Sequence, residues 1–227
     1  KKKFQAMFEI ASIVTGPSDH VRNNLIELGC PRHKARTLHN GVHLDRIPFK
    51  TRILKTNEDP VRFLFVGRLS PKKDPITLVR SFALAVQMLA DRKISLTLIG
   101  DGPLLDQVRR EIDTLKLSGH IRLMGRLPHE KVLSEYQNAH IYVQHSITAA
   151  DGDQEGLPVS ITEALASGLP VISTKHSGIP EVVSHGENGY LVDEGDTQAM
   201  ASFMAELARA DEKWPEFGRH GRKLLEE

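Results

Sequence analysis

The stretch Gln154–Thr174, QEGLPVSITEALASGLPVIST, decides how the rest of the chain is read. Glu155 and Glu163 stand with seven residues between them. Gly156 lets a backbone approach closely, and Pro158 suits the first position of a helix. Val159 to Ser167 reads as that helix: Ile161 and Leu165 share one face at i, i+4, while Ser160, Glu163 and Ser167 share another. Gly168 stops it, and Pro170 to Ser173 restarts the chain as a short apolar strand. One carboxylate therefore precedes a helix N-terminus, and the other lies about a turn and a half inside the helix. Free N–H groups and a positive dipole end make such a start a seat for phosphate. Carboxylates repel phosphate, so the two glutamates suit neutral hydroxyls. A ligand with sugars on both sides of a phosphate, such as a nucleotide-sugar, meets both demands.

Working outward, the segment from Val61 alternates strictly. VRFLFVG, ISLTLIG, IRLMG, IYVQH and PVIS are nearly continuous apolar runs, the pattern of strands buried on both faces. Helical stretches lie between them, at Pro75 to Ala90, Pro103 to Leu117 and Pro128 to Asn138. This predicts an α/β fold with a doubly wound, Rossmann-like parallel sheet, whose ligands bind outside the carboxyl ends of the strands. Gly67, Gly100, Gly125 and His145 fall there. A turn at Gly178-Ile179-Pro180, a short piece at Gly189 to Val192, a helix from about Thr197 to Ala210 and a helical end from Trp214 complete this part. Upstream, Ala11 to Thr15 reads as a short buried strand closed by Gly16-Pro17. Ser18 or Asp19 caps a helix running to Gly29, and an extended Ala35 to His39 ends at the turn Asn40-Gly41. That opening strand and helix have no evident partners.

The spaced pair Glu155 and Glu163, followed by EALASGLPVIST, resembles the signature of family 4 of the glycosyltransferases, a group of retaining enzymes with the GT-B fold. The resemblance covers about Ala11 to Ala210 and lies in the donor-binding half. It implies that Glu155 holds hydroxyls of the donor sugar and Glu163 the nucleotide ribose. It implies an Arg and Lys pair on the donor diphosphate, matched by Arg68 and Lys73 in GRLSPKKD, Gly67 to Asp74. Fixed cations there stabilise the charge that grows on a departing diphosphate, Arg as a fork and Lys as a point charge. Arg68, Lys72 and Lys73 also fit a solvated loop; beside the Glu155 motif the phosphate reading prevails, with Lys72 as the rival of Lys73. The base is expected against the backbone near Arg126 and Leu127. The donor set is completed by Gly67, Gly156, Leu157, Pro158 and Val159. Pro158 departs from the glycine common in the family and removes one N–H from the phosphate seat. The run TAADGDQEGLPVSITEALASGLPVISTKHSGIPE is similar to bacterial exopolysaccharide and lipopolysaccharide members. The resemblance also divides the chain into residues 1–41, the end of an acceptor domain lying mostly before Lys1, residues 42–210, the donor domain, and residues 211–227, a C-terminal helix crossing towards the acceptor side.

The expected reaction is transfer of a sugar from a UDP-, GDP- or ADP-sugar to a carbohydrate or lipid-linked acceptor, with retention and without a metal. A non-catalytic nucleotide-sugar binding module, or a GT-B epimerase or phosphorylase, is the alternative. Asp151 and Asp153 form an acidic pair of the kind that binds a divalent ion, but two residues before the Glu155 signature a surface loop is the better reading. GDGPL, Gly100 to Leu104, lacks the third glycine of a dinucleotide fingerprint and reads as a tight strand-to-helix turn; the resemblance implies that such a turn borders the nucleotide. His145 reads as structural, and His176, Ser177 and Gly178 as a second loop facing the same crevice.

Composition sets the outer limits. The 227 residues carry 30 basic and 29 acidic side chains, which gives no electrostatic case for nucleic acid. Cys30 is the single cysteine, so no internal disulfide forms; it reads as a half-buried incidental thiol in a reducing compartment. No apolar run nears the ~20 residues of a membrane span, and no signal peptide is evident. The expected location is cytoplasmic, with Lys1 to Lys3 offering a peripheral contact at the inner face of a membrane.

Overall fold

Six apolar runs and the helices between them build one wall-to-wall sheet in the computed structural model, which describes residues 2–54, 56 and 58–227. The expected membrane contact of Lys1 to Lys3 lies outside the described residues, which include no side chain before Phe4. In chain order the elements are α1 (Lys2–Ile10), β1 (Val14–Gly16), α2 (Asp19–Glu27), β2 (Ala35–Thr37), β3 (Val61–Val66), α3 (Pro75–Met88), β4 (Ile94–Ile99), α4 (Leu105–Thr114), β5 (Ile121–Leu123), α5 (His129–Asn138), β6 (Ile141–Val143), α6 (Val159–Ala166), β7 (Val171–Thr174), β8 (Gly189–Val192), α7 (Thr197–Arg209) and α8 (Trp214–Glu226).

The main sheet has the order β5-β4-β3-β6-β7-β8 with every pairing parallel. The order runs one way from β3 to β5 and the other way from β6 to β8, so β3 and β6 flank the switch point. Period-2 alternation separates two cores. Phe63 and Phe65 enter the layer of α3, α4 and α7, while Leu64 enters the layer with Tyr136 of α5 and Leu165 of α6. Burying one such aromatic side chain contributes about 1.5–3 kcal/mol. Trp214 at the start of α8 is fully buried in the first core and donates its indole N–H to Leu207 O at 2.8 Å.

The opening segment departs from expectation. Its strand is Val14–Gly16, and Ile13 is 62% exposed, so the apolar run from Ala11 is not a buried strand. The strand does have a partner: β1 pairs with β2 in parallel, Val14 opposite Ala35. Ser18 is the N-cap of α2 and accepts from Val21 N–H. Cys30 is buried rather than half-buried. At the other end α8 returns to the linker: Arg222 Nη1 donates to Ile47 O and Ala166 O, and Nη2 to Leu44 O. No helix among the described residues is long and apolar enough to cross a membrane.

Candidate functional site

Two loops converge above the switch point, one after β3 and one between β6 and α6. The first carries Gly67 to Asp74. It lies tight against the loop after β4, because a side chain on Gly100 would sit 1.8 Å from Gly67 O and one on Gly102 would sit 2.5 Å from Leu69 O. Leu69 N–H donates to Asp101 O, and Leu104 N–H to Leu69 O. This contact opens a cavity of about 680 Å³ lined by Arg68, Gly100, Asp101, Gly102, Pro103 and Arg126. The expected diphosphate and base contacts, Arg68 and Arg126, thus share one cavity, and Leu127 packs half-buried against the core beside it.

Lys72 and Lys73 part company in a short 3₁₀ turn, Pro71–Lys73. Lys72 turns outward to Asp153 Oδ1 at 3.1 Å and Gln154 O at 3.3 Å. Asp153 N–H donates to Asp151 Oδ1, so both acidic residues take part in loop contacts. Lys73 is 8% exposed, and its Nζ lies 3.3 Å from Glu155 Oε2. Burial pulls the Lys73 pKa down, against the pull of Glu155 in the opposite direction. The other carboxylate oxygen, Glu155 Oε1, is buried without a hydrogen-bond partner among the described residues. Asp74 follows in a left-handed conformation, φ 33°, and caps α3 by accepting from Thr77 N–H.

The second loop leads into α6. Pro158 is the N-cap and supplies no side-chain acceptor, so the helix start keeps its unfilled N–H groups. Leu157 is buried in the core, and its carbonyl accepts from Asn40 Nδ2. Gly156 has no room for a side chain, because Pro17 Cγ would lie 2.5 Å from a Cβ there. The start of α2 is bound to the same region: Asp19 and His20 N–H donate to the two carboxylate oxygens of Glu181 at 3.0 and 3.2 Å.

Glu163 and Val159 face a different opening. With Gly41, Val42, His43, Arg46, Ile47, His129, Glu130 and Leu133 they line a cavity of about 440 Å³ against the linker. Glu163 Oε2 lies 3.2 Å from the Tyr136 hydroxyl, and Oε1 lies 3.8 Å from His129 Nε2. Burial raises the Glu163 carboxyl above its usual value, opposed by His129 and Tyr136. The structure therefore joins Lys73 to Glu155 directly, and Arg68 to Arg126 by a shared cavity, while Glu163 lines a separate cavity with Val159 and the linker.

Several residues escaped the sequence reading. Tyr142 and Ser160 donate to Gln144 Oε1 at 2.9 and 3.0 Å, and Gln144 Nε2 donates to Ser146 Oγ, a buried polar floor under the α6 start. The polar Gln144 to Ser146 at the end of an apolar strand was the available signal. Two buried histidines brace the loops. His145 Nε2 accepts from Gly195 N–H at 3.0 Å, and its Nδ1 lies 3.4 Å from Asp74 Oδ2, in reach of the charge but poorly aligned for a hydrogen bond. His176 lies between Glu155 N–H and Glu194. Burial pushes the Glu194 carboxyl up, but Thr148 N–H and His176 outweigh it and hold it below its usual value.

Comparison with known proteins supplies the family. The profile described as Glycosyl transferases group 1 matches residues 47–224. The amylovoran biosynthesis glycosyltransferase AmsK of Erwinia amylovora is 34% identical over 211 residues, 93% of this chain and 51% of that protein. The putative colanic acid biosynthesis glycosyltransferase WcaL of Salmonella typhimurium is 35% identical over 92% of this chain and 50% of its own. The chain thus spans about half the length of these relatives. Among solved structures, Anabaena HepE in complex with UDP and glucose superposes with TM-score 0.80 at 20% identity, over 95% of this chain and 58% of that one. The C-terminal domain of the Francisella tularensis glycosyl transferase LpcC superposes with TM-score 0.67 at 21% identity, over 82% of this chain and 97% of that domain. The fold is one half of a GT-B fold, and the chain belongs to the glycosyl transferases group 1 family.

Proposed function

We propose that this chain is the donor-binding part of a retaining glycosyltransferase that moves a sugar from a nucleotide-diphosphate sugar to a carbohydrate or lipid-linked acceptor. The observation that carries the reading is the half-filled Glu155 carboxylate. Lys73 holds Oε2, while Oε1 is buried with no donor among the described residues, beside the open N-terminus of α6. An unmet buried acceptor costs about 1–3 kcal/mol, which a donor-sugar hydroxyl would relieve. Lys73 has three N–H donors, and the Glu155 contact uses one, leaving the others for phosphate oxygens. Arg68, Lys73 and the α6 N-terminus together neutralise the departing diphosphate, the work a metal ion does elsewhere. The base lies in the cavity of Arg68 and Arg126, and Glu163 takes the ribose hydroxyls.

Exopolysaccharide assembly is the context that the names of AmsK and WcaL support, and UDP is the nucleotide that HepE supports. Residues 1–41 are read as the end of the acceptor half, 42–210 as the donor domain and 211–227 as the closing helix. The location is cytoplasmic, at the inner membrane face if the acceptor is lipid-linked. Calorimetric titration with UDP, GDP and ADP, each repeated with UDP-glucose, GDP-mannose or ADP-glucose, tests the reading. Saturable binding of one base, lost in Arg68→Ala, is expected; no binding of any of these ligands would overturn it.

A further inference from the structure

The Glu155–Gly156 backbone is fastened at three points by the loop that follows β7. Glu155 N–H donates to His176 Nε2 at 3.1 Å. Gly156 O accepts from Gly178 N–H at 3.0 Å and from Ser177 Oγ at 3.1 Å. Ser177 holds a left-handed conformation, φ 49°, to make this grip, a cost that a non-glycine residue bears only where its surroundings demand it.

His176 is the point with the deepest support. It is 2% exposed, with Nδ1 2.6 Å from Glu194 Oε1. Because Nε2 accepts the hydrogen bond from Glu155 N–H, the ring's own proton sits on Nδ1, which donates to Glu194. Glu194 Oε2 in turn accepts from Thr148 N–H at 2.9 Å. The next residue, Gly195, donates to His145, whose ring lies near Asp74, the residue after Lys73. One turn after β8 thus holds His176 through Glu194 and His145 through Gly195.

We propose that His176, oriented by Glu194, is a positioning residue that aims the Glu155 carboxylate at the donor sugar. This rests on the sugar-binding role proposed for Glu155. Lys73 fixes the far end of that side chain and His176 fixes the backbone from which it leaves. Buried as it is, His176 does not touch the ligand. Its effect reaches the sugar through Glu155 and leaves the nucleotide, held by Arg68, Arg126 and Glu163, alone.

Substitutions that separate the two ring nitrogens test this. His176→Asn keeps a polar group near Nδ1 and removes the acceptor for Glu155 N–H, whereas His176→Gln places a carbonyl oxygen near Nε2. Binding is titrated with whichever pair the chain takes, UDP and UDP-glucose, GDP and GDP-mannose, or ADP and ADP-glucose, with Glu155→Gln as reference. His176→Asn is expected to weaken the nucleotide-sugar about tenfold and the free nucleotide less than about twofold, the loss of one buried hydrogen bond. His176→Gln is expected to recover most of the loss. Glu194→Ala, which leaves His176 unheld, carries the same expectation as His176→Asn if the latter does not fold. If Glu155→Gln weakens sugar conjugate and nucleotide alike, or neither, the role of Glu155 falls and the inference with it. If Glu155→Gln is selective while His176→Asn is not, or His176→Gln is no better than His176→Asn, the inference is overturned and the donor site stands.

Discussion

The two ends of the sheet gather similar side chains and use them differently. At the carboxyl ends of the strands, Arg68 and Arg126 line one cavity and Lys73 pairs with Glu155 in the loop before α6. At the opposite end, Lys50, Arg52, Arg62 and His140 surround a cavity of about 340 Å³. There the cations meet helix C-termini: Lys50 Nζ and Arg52 Nη1 donate to Gln137 O, Arg52 Nη2 to Ser167 O at 2.6 Å, and Arg62 Nε to Asn138 O at 2.6 Å. Helices that connect the strands of a doubly wound sheet run against them, so their positive ends lie at the carboxyl ends of the strands and their negative ends at the opposite edge, whereas α8 begins below, where Trp214 stacks on His140. A cation at the lower edge finds carbonyls of the protein itself and becomes a cap. At the upper edge Lys72 and Lys73 pair with Asp153 and Glu155, and Arg68 and Arg126 line an open cavity. Residue type alone does not distinguish an arginine that caps helix carbonyls from one that lines an open cavity; its surroundings do.

Burial sharpens the contrast. Arg52 is 1% exposed, and burial lowers its pKa to about 10. Burial, followed by the nearby Arg62, Arg52 and Lys50, brings His140 down to about 3. A charged His140 would set N–H against N–H, because the Arg62 backbone donates to its Nδ1 at 3.1 Å.

The difference can be broken from either edge. The largest effect is expected below: Arg52→Met removes two charge-assisted hydrogen bonds, to Gln137 O and Ser167 O, and should cost about 3 kcal/mol in denaturant unfolding, with nucleotide affinity unchanged. Next comes Arg68→Ala above, which should weaken nucleotide binding by about 2 kcal/mol, some thirtyfold, in calorimetry while the unfolding midpoint stays put. Glu163→Ala should weaken the free nucleotide by about tenfold, the value of one or two hydroxyl contacts; equal affinity in parent and variant would remove Glu163 from the ribose. The last effect is nil at neutral pH and grows in acid. His140 has a folded pKa below its unfolded value of 6.5, so the unfolded chain binds more protons as pH falls from 6.5 towards 3. Stability must decline across that window, and His140→Gln should flatten the slope of unfolding free energy against pH.

How much of this was legible in the sequence follows from the range of each signal. The strands from Val61 to Val192 were readable because each is a local apolar run closed by glycine or a polar break. Helix ends were readable to within a residue or two where Pro75, Pro128 or Gly168 marks them. The pairing of β1 with β2 was not, since parallel partners carry no local turn that joins them. At the candidate site the two glutamates and the cations stood out as residue types, and Lys73 was preferred to Lys72 only through the resemblance; that Lys73 meets Glu155 and Lys72 meets Asp153 needed coordinates. Adjacent lysines differ only in which way one 3₁₀ turn points them. Gln144 and Arg52 were illegible for a related reason, and His176 was legible only as part of a loop facing the crevice: a buried polar group shows its worth through partners, and many of theirs lie 16 to 115 residues away.

The fit of Pro17 against Gly156 has a mechanical consequence. With no space for even a methyl group between them, and with Glu181 gripping the first N–H groups of α2, the β1–α2 corner and the loop beside Glu155 form one stiff joint. Push on the corner and the load arrives within a residue of the carboxylate, undamped by any slack loop. The opening segment is a lever on that loop, not a tether to it.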